Sequence, residues 1–297
     1  MTLVATLISH PDRPALDTAV LNRACDALAA SHAPVTLAPG IAADINFSAD
    51  ASPQAIEIRL RETLSGLPID LVVQDTQGRR KHLFLADMDS TMIGQECIDE
   101  LADFVGAKAH VAAITERAMR GEIAFEPALR ERVALLKGLP ESIVEEVVRE
   151  RLTLTSGGPE LVRTMRASGA YTALVSGGFT LFTARIGAMI GFDEHRSNIL
   201  LTKDGALTGE VAEPILGKEA KRATLERLRQ ARGLSTSDTM AVGDGANDLA
   251  MLGEAGLGIA FHAKPAVAVA ARMRVDHGDL TALLYAQGYR ANEIAAG

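Results

Sequence analysis

The 297-residue sequence has no tryptophan, only three tyrosines and only two cysteines. Without tryptophan the core must be built from aliphatic side chains, which the 47% hydrophobic content supplies. Cys25 and Cys97 lack the spacing of a metal site or a disulfide framework, so we interpret both as reduced thiols. No apolar run approaches the roughly 18 residues of a membrane span, and the N-terminus lacks the basic start of a signal peptide. These absences favour a cytoplasmic globular protein without a membrane partner.

A basic surface is also missing. The formal net charge is −8 at neutral pH, and the short basic run at residues 79–81 does not make a basic face. A broad nucleic-acid interface usually needs a basic face, so a nucleic-acid partner is disfavoured. A small anionic substrate stays open, because one local cationic pocket is enough to bind it.

The first 80 residues predict a small separate domain. Apolar runs at 3–9, 33–38, 43–48 and 69–75 indicate strands, and two helical patterns lie between them. The second helical pattern begins with Ser52 as a capping residue and Pro53 at the first helical position. The order β-α-β-β-α-β is typical of an α+β ferredoxin-like unit. A polar connector, residues 76–82, marks the predicted boundary at residue 80.

The remaining chain, 81–297, predicts an α/β domain with an insertion. One buried strand, 83–87, is followed only by helical patterns, which indicates a helical-bundle cap over 94–155. Strands then alternate with helices, which favours a doubly wound, Rossmann-like parallel sheet with helices on both faces. We therefore predict a core formed by 81–93 and 156–297.

Polar residues cluster where the predicted core strands end. In a parallel sheet these ends share one edge, and ligands bind there. Carboxylates, a hydroxyl and a lysine without cysteine or histidine predict phosphoryl chemistry around a hard cation, Mg²⁺, rather than zinc. The residues at this edge are Asp87, Asp89, Ser176, Gly177, Gly178, Lys221, Asp244, Asn247 and Asp248.

Four segments together resemble one family. DMDST at 87–91, SGG at 176–178, a lysine at 221 and GDGAND at 243–248 match the motifs of the haloacid dehalogenase-like phosphatases over about residues 83–290. Within that superfamily, the glutamate after DMDST and the helical insertion most resemble the phosphoserine phosphatases. The N-terminal unit resembles the small amino-acid-binding, ACT-like domains.

The resemblance implies roles for the first two motifs. Asp87 matches the nucleophile that forms an aspartyl phosphate, and Asp89 matches the general acid and base. Ser176 and Gly177 match the phosphate cradle, with Gly178 supporting it.

The resemblance implies roles for the other two motifs as well. Asp244 matches a Mg²⁺ ligand, together with Asp87 and the backbone carbonyl of Asp89, and Asp248 supports the metal shell from one helical turn beyond Asp244. Lys221 matches the point charge on the phosphoryl oxygens, and Asn247 matches a group that orients Lys221 or the phosphate.

The cap should select the substrate. Glu96 matches the partner of a substrate ammonium, and Arg132 matches the partner of a carboxylate, which arginine binds bidentately. Arg130 is the competing candidate for that role, and Phe125 is expected to close the apolar side of the pocket.

These features predict a Mg²⁺-dependent enzyme that hydrolyses O-phospho-L-serine to L-serine and phosphate, the last step of serine synthesis. One alternative keeps the chemistry with another small phosphomonoester, or transfers the phosphoryl group to an alcohol such as homoserine. Another is a serine-sensing regulatory protein. Residues 1–80 are further hypothesised to contribute to a homodimer or to bind serine.

Overall fold

The computed structural model describes residues 2–118 and 122–296, and the backbone of residue 119. The chain builds a four-stranded antiparallel sheet, a six-stranded parallel sheet and a two-stranded hairpin. Among the described residues, no helix is both long enough and apolar enough to cross a bilayer.

The antiparallel sheet lies at the N-terminus, as predicted. Its elements are β1 (Thr2–Ile8), α1 (Thr18–Leu28), β2 (Val35–Ala38), β3 (Ala42–Ser48), α2 (Pro53–Thr63) and β4 (Asp70–Asp75). The strand order β2-β3-β1-β4 is the ferredoxin-like order. Helix α2 begins as the sequence predicts, because Ser52 Oγ accepts from the Ala55 N–H and Pro53 is the first helical residue.

A cap of four helices follows β5 (Leu83–Ala86). The helices are α3 (Cys97–Phe104), α4 (Lys108–Met119), α5 (Phe125–Ala134) and α6 (Ile143–Glu150). The two chain segments that enter and leave the cap pair with each other at Ile93 and Leu154. Backbone bonds from the Gly94 N–H to Thr153 O and from the Thr155 N–H to Met92 O extend this pairing. The cap therefore stands on a short two-chain base.

The core then continues to the C-terminus. Its elements are α7 (Gly158–Ala167), β6 (Tyr171–Phe179), α8 (Thr180–Ile190), β7 (Glu194–Asn198), β8 (Leu200–Lys203), β9 (Ala206–Val211), α9 (Lys218–Ala231), β10 (Thr239–Gly243), α10 (Leu249–Glu254), β11 (Leu257–Phe261), α11 (Pro265–Ala270), β12 (Met273–Val275) and α12 (Ala282–Ala286). The parallel sheet has the order β12-β11-β10-β5-β6-β7. This confirms the predicted α/β core.

Strand β5 shows why the sheet is covered on both faces. Successive side chains of a strand point to opposite faces. Leu83 and Leu85 pack with α9, α10 and α11, and Phe84 and Ala86 pack with the helices of the other face. All four side chains are buried, so β5 is the centre of the core.

Five elements of the core were not predicted: strands β7 and β12 and helices α7, α11 and α12. The segment Ser176–Gly178 also differs, because it continues β6 instead of ending it. The pairing of β6 with β7 shifts register between Val175 and Phe179, so this segment bulges within the strand. The hairpin β8–β9 turns at Asp204 and Gly205, both with positive φ.

The N-terminal sheet packs on the C-terminal part of the core. Buried Asp70 accepts backbone hydrogen bonds of 2.7 Å from Asp276 and Gly278, and Arg79 pairs with Asp44 at 2.7 Å while it also donates to the Ala286 carbonyl. The domain boundary at residue 80 stays a prediction, as does the ACT-like character of this unit.

Candidate active site

The site lies at the carboxyl ends of the core strands. From β5 the chain proceeds to β6 and β7 on one side and later to β10, β11 and β12 on the other, so β5 and β10 flank the switch point where ligands bind in such sheets. A cavity of about 530 Å³ opens there, between the core and the cap. Ten of the predicted residues line it: Asp87, Asp89, Glu96, Phe125, Arg132, Ser176, Gly177, Gly178, Asp244 and Asn247.

Lys221 lies beneath the cavity, held between two carboxylates. Its Nζ is 2.6 Å from Asp87 Oδ1 and 2.6 Å from Asp248 Oδ1, and Lys221 is only 2% exposed. Burial alone lowers the pKa of Lys221, but the charges of Asp87 and Asp248 outweigh it and raise the pKa well above its ordinary value. Lys221 is therefore a permanent cation directly beside Asp87.

Asp248 differs from the prediction in its local structure only, and its support of a metal shell stays a prediction. It was expected one helical turn beyond Asp244, as support for a metal shell. Residues 245–248 instead form a turn, and Asp248 is the N-cap position of α10. Its two oxygens accept from Lys221 Nζ and from the Gly245 N–H, the latter at 3.1 Å. Asp248 is fully buried, and the charged side chain that it contacts and holds in place is Lys221.

A cluster of carboxylates could hold a metal ion. One oxygen each from Asp87, Asp244 and Asp248 lies within 4.8 Å of the others. Burial raises the pKa of both Asp87 and Asp244, and the charge of Asp248 raises them further. With Asp89 the site has four carboxylates, against the ammonium groups of Lys221, between Asp87 and Asp248, and of Lys264, near Asp244. This surplus of negative charge and the all-oxygen donors fit a hard divalent cation.

Asp89 is fixed from two sides. Its Oδ1 accepts the backbone N–H of Cys97, the first residue of α3, at 3.1 Å, and its Oδ2 accepts the Ser176 hydroxyl at 3.3 Å. Burial raises the pKa of Asp89, although the hydrogen bonds from Cys97 oppose the rise. A carboxyl group with a raised pKa is suited to carry a proton near neutral pH.

The bulge of β6 needs its glycine. A Cβ on Gly178 would lie 2.9 Å from Asp89 Oδ2 and 3.0 Å from Ser176 Oγ. Ser176 Oγ accepts the Gly178 N–H at 2.8 Å, so its own proton is free to go to Asp89. The predicted grouping of Ser176, Gly177 and Gly178 beside Asp89 is thus what the structure contains.

Glu96 is the anionic group at the cap end. It faces the open cleft, where its Oε1 accepts the Ser90 hydroxyl at 2.7 Å. The side chain is exposed to solvent. Even so, desolvation in the cleft and, to a smaller extent, the charge of Asp89 raise the pKa of Glu96 to about 7.

Arg132 is the cationic group at the cap end. It is partly buried on α5, and it donates to Thr115 Oγ1 at 3.3 Å and to the Ala128 carbonyl at 3.2 Å. Arg130 instead pairs with Glu213 at the surface and does not line the cavity, which favours Arg132 between the two candidates. Phe125 lies on the cap side opposite the bulge, with Cζ 3.7 Å from the position of a Cβ on Gly177.

Three further polar residues line the cavity: Asn247, Lys264 and Asp99, which was not predicted. Asn247 is exposed in the cavity wall, and the hydrogen bonds of the described residues connect Lys221 to Asp248 rather than to Asn247. Lys264 was not predicted, although it follows the end of β11 and the same strand-end rule could have found it. Its cation lowers the pKa of nearby Asp244, against the rise from burial.

Comparison with known proteins identifies the family. The model of the haloacid dehalogenase-like hydrolases matches residues 84–253. A phosphoserine phosphatase of Polaromonas sp. is 46% identical over 229 residues, which cover 75% of this chain and 97% of that protein.

Two solved structures resemble nearly the whole chain. A haloacid dehalogenase family hydrolase of Salmonella enterica serovar Typhi superposes with a TM-score of 0.85 at 29% identity, covering 96% of this chain and 97% of that one. A probable phosphoserine phosphatase of Vibrio cholerae in unliganded form has a TM-score of 0.77 at 32% identity, covering 97% and 86%. The family predicted from the four motifs is therefore confirmed: this chain belongs to the haloacid dehalogenase-like hydrolases and is an enzyme of that family.

Proposed function

We propose that the enzyme hydrolyses O-phospho-L-serine to L-serine and inorganic phosphate, the last step of serine synthesis. One observation carries the proposal. A single cavity has phosphoryl-binding groups at its core end, and its cap end carries the carboxylates of Glu96 and Asp99 and the guanidinium of Arg132; the pair proposed to bind the substrate is Glu96 and Arg132. These two groups have the charges needed to bind the ammonium and the carboxylate of an amino acid. The name of the Polaromonas relative supports the same substrate.

Asp87 acts as the nucleophile in this proposal. One carboxylate oxygen attacks phosphorus, the bond from phosphorus to the serine oxygen breaks, and an aspartyl phosphate forms. Lys221, at 2.6 Å, lowers the pKa of Asp87 against the rise that burial causes, and it faces the phosphoryl charge as that charge develops. The covalent route divides one difficult hydrolysis into two easier steps.

Asp89 transfers the proton in both steps. In the first it protonates the departing serine oxygen, and in the second it takes a proton from the water that attacks the aspartyl phosphate. Its raised pKa favours the protonated form that the first step requires. The hydrogen bonds from Cys97 and Ser176 hold the carboxyl group in place for both transfers.

The residues of the site fit Mg²⁺ as the cofactor. Asp87, Asp244 and the backbone carbonyl of Asp89 would hold the ion, and it would neutralise charge on the phosphoryl oxygens when bound. Asp248 serves the site by anchoring Lys221.

The cap supplies selectivity and excludes water. Closure over its two-chain base would bring Glu96, Arg132 and Phe125 onto the amino-acid part of the substrate, while the phosphoryl group stays on the core. We also propose that residues 1–80 bind serine or contribute to a dimer. Serine titration of the full chain by calorimetry, and its mass in solution, test those two ideas.

The test is phosphate release from a panel of phosphomonoesters, with Mg²⁺ or with EDTA. We expect O-phosphoserine to have the highest kcat/KM, and EDTA to abolish release. A better substrate without an amino-acid head group would show that Glu96 and Arg132 are misassigned. Net transfer to homoserine would favour a phosphotransferase. No release at all, together with tight serine binding, would favour the sensing protein.

A further inference from the structure

Asn198, the last residue of β7, is a buried amide that links two parts of the site without lining the cavity. It is 2% exposed. Its Nδ2 donates to the Gly177 carbonyl at 2.8 Å and to the Leu216 carbonyl at 3.3 Å, and its Oδ1 accepts the Leu216 N–H at 2.7 Å. The Leu216 N–H needs an acceptor, which assigns the atom beside it as the side-chain oxygen of Asn198. The other terminal atom is therefore the nitrogen that donates to the Gly177 carbonyl.

The bond to Gly177 fixes the peptide that follows it. The peptide between Gly177 and Gly178 is trans, so its carbonyl and its N–H point in opposite directions. With the carbonyl held by Asn198, the Gly178 N–H is directed at Ser176 Oγ, 2.8 Å away. Ser176 accepts this bond and donates its own proton to Asp89 Oδ2 at 3.3 Å. A continuous series of hydrogen bonds therefore connects Asn198 to Asp89.

Asn198 also binds Leu216, which lies just before the helix that carries Lys221. Leu216 is bonded through both its N–H and its carbonyl, and the next residue, Gly217, is the N-cap of α9. Lys221 lies in the first turns of that helix. One side chain thus joins the bulge of β6 to the start of the helix that carries the site's buried cation.

We infer that Asn198 is a positioning residue for the reaction: it orients the peptide between Gly177 and Gly178 and, through Ser176, the carboxyl group of Asp89. The inference rests on the proposed function, because Asp89 is assigned there as the proton donor. Asn198 touches none of the reacting groups, so it acts through the residues that it holds: Gly177, which leads to Ser176, on one side and Leu216 on the other.

The test is a double-mutant cycle between Asn198→Asp and Ser176→Ala, measured as kcat/KM for O-phosphoserine. Asn198→Asp keeps the acceptor for the Leu216 N–H and places an oxygen against the Gly177 carbonyl. We expect a loss of about 100-fold, as for other small misplacements of catalytic groups. In the Ser176→Ala background the same substitution should cost at least about tenfold less, since the connection is already broken.

Ser197→Ala is the matched control. Ser197 is the buried neighbour of Asn198, and its hydroxyl bonds to Thr180 at 3.2 Å and to Thr183 at 2.8 Å, not to the bulge. It should keep kcat/KM close to the wild-type value. If Asn198→Asp does not fold, Asn198→Ser removes the same donor without adding charge and replaces it in the cycle.

The outcomes separate this inference from the proposed function. Non-additive losses support it. Additive losses would contradict the route through Ser176, and a loss for the Asn198 variant no larger than for Ser197→Ala would show that Asn198 only stabilises the fold. Wild-type enzyme without activity on O-phosphoserine would instead remove the proposed function, and the cycle would then be run on the best substrate of the panel with the same criteria.

Discussion

The core end and the cap end of the cavity are built differently. At the core end Asp87, Lys221 and Asp248 are 4%, 2% and 0% exposed, and each contacts another charged group. At the cap end Glu96 faces solvent and Phe125 is 38% exposed. The buried core end can exclude water, which strengthens the interactions between its charges. At the exposed cap end, a side chain can exchange one hydrogen-bond partner for another with little loss of free energy. We infer that reaction chemistry belongs to the first and substrate choice to the second.

The largest expected effect is at the core end, from Asp87→Asn. The variant lacks the nucleophile, so kcat should fall by about 10⁴-fold or more. Burial raises the pKa of Asp87, so a neutral amide should not lower the melting temperature, and Lys221 keeps Asp248 as a partner. Steady-state kinetics and thermal melting check both halves. Near-normal turnover in this variant would remove the nucleophile assignment.

Lys221→Met should give the next largest effect. It leaves four carboxylates without their buried cation, and removal of one charge-stabilising group typically costs about 10²–10³ in kcat. The loss should appear for every phosphomonoester, because the phosphoryl group is common to all of them. Lys218→Met, at the exposed start of the same helix, is the control. Equal effects of the two substitutions would contradict the role of Lys221.

Arg132→Met should separate the two ends of the cavity, because it affects substrate binding at the cap end and leaves the chemistry at the core end. The variant loses the charged hydrogen bond between Arg132 and the substrate carboxylate. We therefore expect a KM for O-phosphoserine about 10- to 100-fold higher, with kcat little changed. Phosphomonoesters without a carboxylate should show no such change. Arg130→Met is the matched control, two residues away and paired with Glu213 at the surface. A fall in kcat alone would place Arg132 in the chemistry.

The smallest expected effect concerns pH. Because the pKa of Glu96 is raised to about 7, the free enzyme carries its anion mainly above that pH, and ammonium binding strengthens as pH rises. Relative to Glu96→Gln, wild-type kcat/KM should therefore rise by less than about tenfold from about pH 6 to pH 8. The ratio cancels ionisations shared by both enzymes. A flat ratio would mean that Glu96 does not bind the ammonium.

The strand ends were predictable from sequence because two rules suffice: apolar strands run parallel in a βα pattern, and their carboxyl ends share an edge. Those rules brought together Asp87, Ser176 and Asp244. Strand β7, with the sequence EHRSN, was missed because a polar edge strand has neither an apolar run nor alternation. Asn198 ends that strand, so its position beside Gly177 could not be inferred.

The contact between Lys221 and Asp248 could not be predicted from the sequence either. It joins Lys221 of α9 to the N-cap residue of α10, and it depends on how these two helices pack beside each other on one face of the sheet. Sequence spacing suggested a helical turn between Asp244 and Asp248, whereas residues 245–248 make a turn that brings the Asp248 carboxylate back against Gly243. A Cβ on Gly243 would lie 2.3 Å from Asp248 Cγ, so this packing needs the glycine.

The most direct test of the central claim is to trap the covalent enzyme. Wild-type protein is mixed with O-phosphoserine labelled in the phosphoryl group, quenched in acid within milliseconds, and analysed by peptide mass spectrometry. The account predicts hydroxylamine-sensitive label on Asp87, absent after EDTA treatment and absent in Asp87→Asn. Label on another residue, or full turnover by metal-stripped enzyme, would contradict it.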